Sequence, residues 1–359
     1  MADFDAPRAS PVLPPTELRP LSGASSWGDF RIDYATHPAY RPLLRFRPVT
    51  LLKFALSSVK LLAKRLINYE SIPFDLRRGP KTRFAAAGLF NLLHGGSFGS
   101  ILKRAYGGPL GNTGCIVVGL SPEDTKNLHS VAAASFANLE RRRAAPVTGV
   151  REFEESRSTA SRARAQALFD LIEALFDKSG IMSIASAYLG RAARLIDVNP
   201  QINDPSDSYW RNIFPDMKPN SLPRTAYCHR DASGGDLKAI IYVSDVGPTN
   251  GPFAYAVGSN RVHLSRIDDF ICEANDMNGF AGTAPEARAA FAALPRTLQQ
   301  KGSFGNDLAD DAPASHAIMD SLWSITGSAG SIVLFDTKGI HRGGMVIEGE
   351  RRVLTCVLG

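Results

Sequence analysis

Cysteine is scarce in this chain, and none of it is spaced for a metal. Cys115, Cys228, Cys272 and Cys356 are the only four in 359 residues, and no two form a C-x-x-C pair. That excludes the usual zinc arrangements. Cys228 and Cys356 fall in strand-like stretches and are expected as buried free thiols. Long apolar runs are missing as well: no stretch reaches membrane-spanning length without charges. The acidic, proline-rich start has neither the basic n-region nor the apolar h-region of a secretory signal. Unpaired thiols and no signal lead us to expect a reducing, cytoplasmic setting. No internal repeat is found, so a solenoid is excluded. Histidine is sparse too, with seven residues in all.

What is present describes a folded protein, with 44% hydrophobic and 21% charged residues. The net charge of +6 suggests an anionic partner until its placement is considered. Residues 1–110 hold 16 Lys+Arg against 7 Asp+Glu, leaving 25 against 28 in the remainder. The basic character therefore belongs to an N-terminal extension, and residues 111–359 are close to neutral. Nucleic acid is not expected as a partner on this ground.

The extension, residues 1–110, is expected to be partly helical. Met1 to Ser26 is rich in Pro, Ala and Ser and reads as a loosely packed arm. From Thr50 to Ile67 the pattern is helical, with Lys53, Ser57, Lys60 and Lys64 as a narrow polar stripe. Leu52, Leu56, Val59, Leu62 and Leu66 form its broad apolar side. The first expectation for that side is packing on the core. The alternative is peripheral contact with an anionic membrane surface. Farther on, Cys115–Leu120 reads as a strand. Ser121 is a good N-cap with Pro122 at the first helical position, for a helix to about Arg141. A second helix is expected at about Ser161–Lys178.

The chemistry begins at His229-Arg230-Asp231. An H-x-D on a strand puts an imidazole and a carboxylate on one face, because strand side chains alternate with period two. A second imidazole from a later strand would complete a 2-His-1-carboxylate facial triad, a ligand set with open positions that suits non-haem Fe(II). The residual positive charge of such a site favours an anionic, chelating co-substrate. Ser221–His229 reads as a strand entering a pocket, Leu237–Val246 as a nearly continuous apolar strand, and Gly247–Pro252 as a turn. Phe253–Val257 follows as a short strand closed by Gly258-Ser-Asn-Arg261. Downstream come Gly330-Ser331, the strand Ile332–Phe335, His341-Arg-Gly-Gly344 and a last strand, Arg351–Leu358. Strand, turn, strand is antiparallel β architecture. Between Arg261 and Gly330 lies a long segment with an Ala-rich helix at about Pro285–Leu294. Residues 262–329 are therefore expected to be an insertion acting as a lid or substrate wall.

H-x-D, L-K-x-x-x-Y-V-S-D-V, N-G-P, G-S-N-R, G-S-I-V-L-F-D and H-R-G-G with a trailing Arg, in that order, resemble the phytanoyl-CoA hydroxylase-like family. Its members are Fe(II)/2-oxoglutarate-dependent dioxygenases, and the similarity covers roughly residues 111–359. The resemblance implies an all-β core with flanking helices, a double-stranded β-helix (a cupin-like jelly roll) behind the N-terminal extension. It implies His229, Asp231 and His341 as iron ligands, with 2-oxoglutarate and O₂ as co-substrates. Carbon dioxide and succinate would leave as an unactivated C–H of a small molecule is hydroxylated; the basic extension and its apolar helix, not the resemblance, suggest an anionic or lipid-linked one. Related halogenases replace the carboxylate at the Asp231 position with a small residue, so Asp231 points to hydroxylation, desaturation or ring closure over halogenation. No obligate protein partner is implied.

The distal carboxylate of 2-oxoglutarate calls for a forked cation, which Arg supplies better than Lys. Arg351, ten residues past His341, is the better match to the family, and Arg352 is its competitor. Strand parity lets only one of them point inward. Lys238 is expected as a second anion contact or a snorkelling edge residue, and Tyr227 as pocket wall or ordinary packing. Arg342 and Lys338 flank the distal histidine as rim charges. His37, His94, His129, His263 and His316 have no partner at ligand spacing and are expected to be solvated or packed. Two other functions compete: a non-catalytic jelly-roll binding protein, and a nucleic-acid demethylase of the same superfamily. The second requires a further Arg on the last strand, and Thr355–Gly359 has none.

Overall fold

In the computed structural model the described residues are 11–21, 52, 56, 59, 108–144, 153–189, 191–206, 224–231, 237–261 and 313–359. Helix α1 (Gly108–Thr113) leads into strand β1 (Cys115–Gly119). Helix α2 (Pro122–Arg143) starts as expected: Ser121 Oγ accepts the Asp124 N–H, Pro122 opens the helix, and Glu123 and Asp124 face its positive end. Helices α3 (Phe153–Ser156), α4 (Gln166–Lys178) and α5 (Ile181–Leu189) follow, then β2 (Leu195–Asn203). The remaining elements are β3 (Leu237–Tyr242), β4 (Phe253–Ala256), α6 (Pro313–Ser321), β5 (Leu322–Ile325), β6 (Ser331–Asp336), β7 (His341–Arg342) and β8 (Arg351–Leu358).

Two antiparallel sheets result, one ordered β1-β6-β3-β8-β2 and the other β5-β4-β7. His229 adds to the second sheet through an isolated antiparallel bridge with His341 on β7. The fold is an all-β jelly roll, a double-stranded β-helix, with helices on one flank. Alternation along the strands divides the larger sheet into two faces. Ile332, Leu334, Leu354, Cys356, Ala239 and Ile241 face outward and are buried under α2, α4 and α5, against Leu128, Phe136, Phe169, Ile172 and Phe176. Val333, Phe335, Val353 and Tyr242 face the smaller sheet and pack on Phe253, Tyr255 and Ile325.

The same parity separates the two arginines. Arg351 lies on the inward face and is 5% exposed. Arg352 lies on the outward face, paired with Glu140 of α2 and Glu350, its guanidinium 6.0 Å from the Phe136 ring centre.

Several expectations change. Strand β3 ends at Tyr242 rather than Val246, because Val243 and Ser244 N–H both turn to the one Arg352 carbonyl, a bulge that ends the ladder. Residues 224–227 form a turn, so His229 enters by a single bridge and the H-x-D does not sit on a continuous strand. Strand β2 was not read from the sequence. It carries Pro200 and several polar residues, which an edge strand tolerates. Strand β5, inside the segment expected as an insertion, pairs with β4, so residues 322–325 belong to the barrel and the boundary at 329 is too late. The Ala-rich helix at 285–294 lies outside the described residues.

The N-terminal arm is partly tied down. Val12 exchanges both backbone hydrogen bonds with Val117, Arg19 N–H reaches Asp320 O, and Leu21 N–H reaches Val257 O. Of the helix expected at 50–67, Leu52, Leu56 and Val59 are described; they are helical and 61%, 57% and 66% exposed. These three side chains therefore do not pack on the barrel, contrary to the first expectation; the helix's other positions lie outside the described residues. Among the described residues no helix is long and apolar enough to cross a membrane.

Ile241 is fully buried between the larger sheet and the helices. Ile241→Ala is expected to lower the urea-unfolding free energy by about 2–5 kcal/mol, the range for truncating a packed core aliphatic. A loss below about 1 kcal/mol would mean the helix–sheet interface is not part of the cooperative core.

Candidate functional site

The two histidines meet because the backbone pairs them. His229 N–H donates to His341 O and His341 N–H to His229 O, both at 2.8 Å. Two residues on, Asp231 N–H donates to Thr337 O at 2.9 Å. Residues 336–341 are held as a rigid turn. Asp336 carboxylate accepts the Lys338 N–H and the Tyr188 hydroxyl, Tyr255 hydroxyl donates to Asp336 O, and Ser259 Oγ accepts the Ile340 N–H. Gly339 is required here, since a Cβ would fall 1.8 Å from the Tyr255 hydroxyl. The G-S-N and F-D motifs are thus the scaffold of the distal histidine.

Both imidazoles are oriented alike. His229 Nδ1 lies 2.8 Å from Tyr227 O, and His341 Nδ1 lies 2.8 Å from Gly339 O. A carbonyl can only accept, so each Nδ1 carries the proton and each Nε2 presents its lone pair. Tyr227 has φ 61°, a left-handed backbone rare for a bulky residue, and its ring centre stands 4.8 Å from that of His229. His229 Nε2 is 3.6 Å from Asp231 Oδ1, and His341 Nε2 is 3.7 Å from Asp231 Oδ2. One ligand atom from each of the three residues falls within 4.8 Å of the others.

The electrostatics favour a cation between them. Burial pushes His229 below its ordinary pKa. It pushes His341 down to about 3, with the neighbouring His229 adding to the effect. Burial would raise Asp231, but the His341, Lys238 and His229 side chains outweigh it and hold the carboxyl well below the usual carboxylate range. Two neutral imidazoles and a carboxylate therefore converge with no proton among them to share.

The pocket around this cluster runs along the inward face of the larger sheet. Lys238, Ile240 and Tyr242 of β3, Phe335 of β6 and Arg351, Val353 and Thr355 of β8 line it, with Gln201 and Asn203 of β2. Arg351 donates to Asn203 Oδ1 at 2.9 Å, to Gly344 O at 3.4 Å and to Gly251 O; among the described residues its buried Nε has no partner. Gly251 and Gly344 have to be glycine for this, because a Cβ on Gly251 would come within 2.5 Å of Gly344 O. The N-G-P motif, read as a turn, and the H-R-G-G motif are what bring carbonyls onto the guanidinium.

Asn203, Gln201, Ser156 and Arg157 line the pocket and were not anticipated. Their only signal was polarity within β2 and beside α3. Lys238 lies 2.6 Å from Asp231 Oδ2. Arg342 is half-buried, and its Nη1 donates to Arg224 O and Ala226 O, which steadies the turn before His229. Lys338 contributes its carbonyl, which accepts from Arg230 Nε. His129 and His316 are exposed, while His37, His94, His263 and Cys272 lie outside the described residues. Cys115, Cys228 and Cys356 are buried free thiols.

No family model matches the chain, and no curated protein matches it. Among solved structures the chain is similar to SnoK, the non-haem α-ketoglutarate-dependent carbocyclase from nogalamycin biosynthesis. The identity is 14% over 74% of this chain and 85% of that one, with TM-score 0.40. It is also similar to AviO1 from Streptomyces viridochromogenes Tue57, at 15% identity over 72% and 94% with TM-score 0.39. For EctD from S. alaskensis in its apoform the values are 14%, 72% and 75%, and 0.39. The chemistry of the site rests on its own geometry.

Depressed histidine pKa values have a consequence with a definite sign. Between about pH 6.5 and 3 the unfolded chain binds more protons at His341 than the folded chain does, so stability falls as pH falls through that window. The urea midpoint of metal-free protein should drop between pH 7 and pH 4, and His341→Asn should flatten that dependence. An equal slope in both proteins would contradict the buried, neutral assignment.

Proposed function

We propose that the chain is an Fe(II)/2-oxoglutarate-dependent oxygenase that hydroxylates an unactivated C–H of a small molecule. His229, Asp231 and His341 would be the iron ligands and Arg351 the co-substrate anchor. The observation that carries this reading is a juxtaposition within one pocket. Three electron-pair donors converge without a proton, and a buried guanidinium with only neutral partners among the described residues lines the same pocket. An unpaired buried cation is costly, and Arg351 has no carboxylate partner among the described residues. A ligand that chelates a metal at one end and presents a second carboxylate at the other satisfies both needs.

The donor set fits the metal. Two Nε2 lone pairs and one carboxylate are a facial triad with open positions, the arrangement associated with non-haem Fe(II). The Nδ1 hydrogen bonds to Tyr227 O and Gly339 O would fix each ring and raise its basicity. Ferrous iron with 2-oxoglutarate and O₂ supplies the oxidising power for breaking a C–H bond, with CO₂ and succinate as the co-products. The protein's own work is to hold the ligands, orient the co-substrate through Arg351 and Asn203, and limit water with Phe253, Phe335 and Val353. Among the described residues, Arg157, Lys238 and Arg351 line the pocket against a single carboxylate, Asp231, which favours an anionic substrate. No observation favours the non-catalytic or nucleic-acid readings.

Anaerobic addition of Fe(II) and then 2-oxoglutarate to metal-free protein should produce a visible metal-to-ligand charge-transfer band. His229→Ala should abolish it. Arg351→Met should weaken co-substrate binding about 30-fold or more, the loss of roughly 2 kcal/mol expected when a buried charge pair is broken. Arg352→Met should leave it unchanged. Folded, metal-loaded protein without the band would overturn the reading.

A further inference from the structure

A second cation stands at the site, away from the Arg351 cradle. Lys238 is the second residue of β3, on the inward face, and its Nζ lies 2.6 Å from Asp231 Oδ2. The β3–β8 register sets Lys238 opposite Val357, six residues along the strand from Arg351. At about 3.3 Å per residue that separation is roughly 20 Å between backbones, so the two basic residues sit at opposite ends of the pocket. The described contact of Lys238 is with the carboxylate of the triad, not with Arg351 or its partners.

Among the described residues Asp231 is the single carboxylate lining the pocket. Its Oδ1 faces His229 Nε2 at 3.6 Å and its Oδ2 faces His341 Nε2 at 3.7 Å, while the ammonium sits on Oδ2. A divalent ion binding among these three donors must share Asp231 with a positive charge already in place. Lys238 is 27% exposed on its side chain and Asp231 19%, so water screens the repulsion only in part.

We propose that Lys238 competes with a metal's charge at Asp231 and makes metal loading depend on an anionic co-substrate. The inference rests on the reading of His229, Asp231 and His341 as metal ligands. Metal alone adds positive charge beside Lys238 and is held weakly. A dicarboxylate arriving with the metal offsets that charge, so each strengthens the other's binding by the same factor. Lys238 also keeps Oδ2 occupied. Asp231 then offers the metal one oxygen rather than two, and the positions needed by a chelating co-substrate stay open.

The test is calorimetric titration of metal-free protein with Mn(II) under argon, with and without 2-oxoglutarate. It compares the natural chain, Lys238→Met and Lys238→Arg, and requires no turnover. The natural chain should bind Mn(II) at least tenfold more tightly when 2-oxoglutarate is present. Lys238→Met should bind Mn(II) alone at least tenfold more tightly than the natural chain does. Its enhancement by 2-oxoglutarate should be at least tenfold smaller, the remainder coming from chelation itself. Lys238→Arg, which keeps the charge, should retain the natural pattern. Thermal melting checks that each variant folds, and Lys238→Gln replaces Lys238→Met if that variant does not. Equal or weaker Mn(II) binding by the uncharged variant would overturn the proposal and leave Lys238 as a support for Asp231. Failure of the natural chain to bind Mn(II) under any condition would sink the metal-site reading itself, a different and distinguishable result.

Discussion

The two-residue period of the strands acts here on a sheet that has helices on one side and a second sheet on the other. Each residue of β3, β6 and β8 must therefore satisfy one of two quite different neighbours. Outward positions meet the side chains of α2, α4 and α5 and are apolar almost without exception. Inward positions near β4 are aromatic and apolar. Those lining the pocket hold the polar and charged groups, Lys238 on β3 and Arg351 and Thr355 on β8. A one-residue slip of β8 would put Arg352 into the pocket and Arg351 against Glu140. The register with β2 and β3 on either side prevents that slip.

On this frame the site is assembled by backbone pairing more than by side-chain packing. Reciprocal hydrogen bonds join His229 to His341, and each ring then donates to the carbonyl two residues before it. The turn at 336–340 is held by Asp336, Tyr188, Tyr255 and Ser259, three of them far away in sequence from His341 or on other elements. Opposed charges are then arranged along the pocket: Asp231 with Lys238 at one end, and Arg351 among carbonyls and Asn203 at the other. Proton-free donors and an anion-seeking guanidinium in one pocket make it asymmetric, and that asymmetry supports a chelating dicarboxylate co-substrate.

Much of this was legible in residue order. Apolar, β-branched runs at 237–242, 331–336 and 351–358 mark the central strands, because strands buried on both faces leave little room for polar residues. The cap at Ser121 and Pro122 marks the start of α2. Strand β2 was hidden because an edge strand accepts Pro200 and polar side chains, which erase the usual signal. Strand β5 was hidden because four residues carry too little periodicity to separate from a loop. The N-G-P motif looked like a turn and H-R-G-G like the surroundings of the distal histidine, and only their mutual approach reveals them as the seat of Arg351.

By itself the order of residues determined which chemistry was available: an H-x-D, a late histidine and a trailing pair of arginines, between strands of recognisable pattern. It could also limit the inward arginine to one of two, since parity is a local property of a strand. The resemblance preferred Arg351, but the physical ground, which face α2 covers, is a relation between segments some 200 residues apart. The same holds for Lys238, which by pattern could have served the co-substrate or the strand edge. Its contact with Asp231 exists because 229–231 pairs with 337–341 while β3 pairs with β6, bringing both side chains to one place. Distances between non-local groups are set by closure of the two sheets, and no local pattern encodes them.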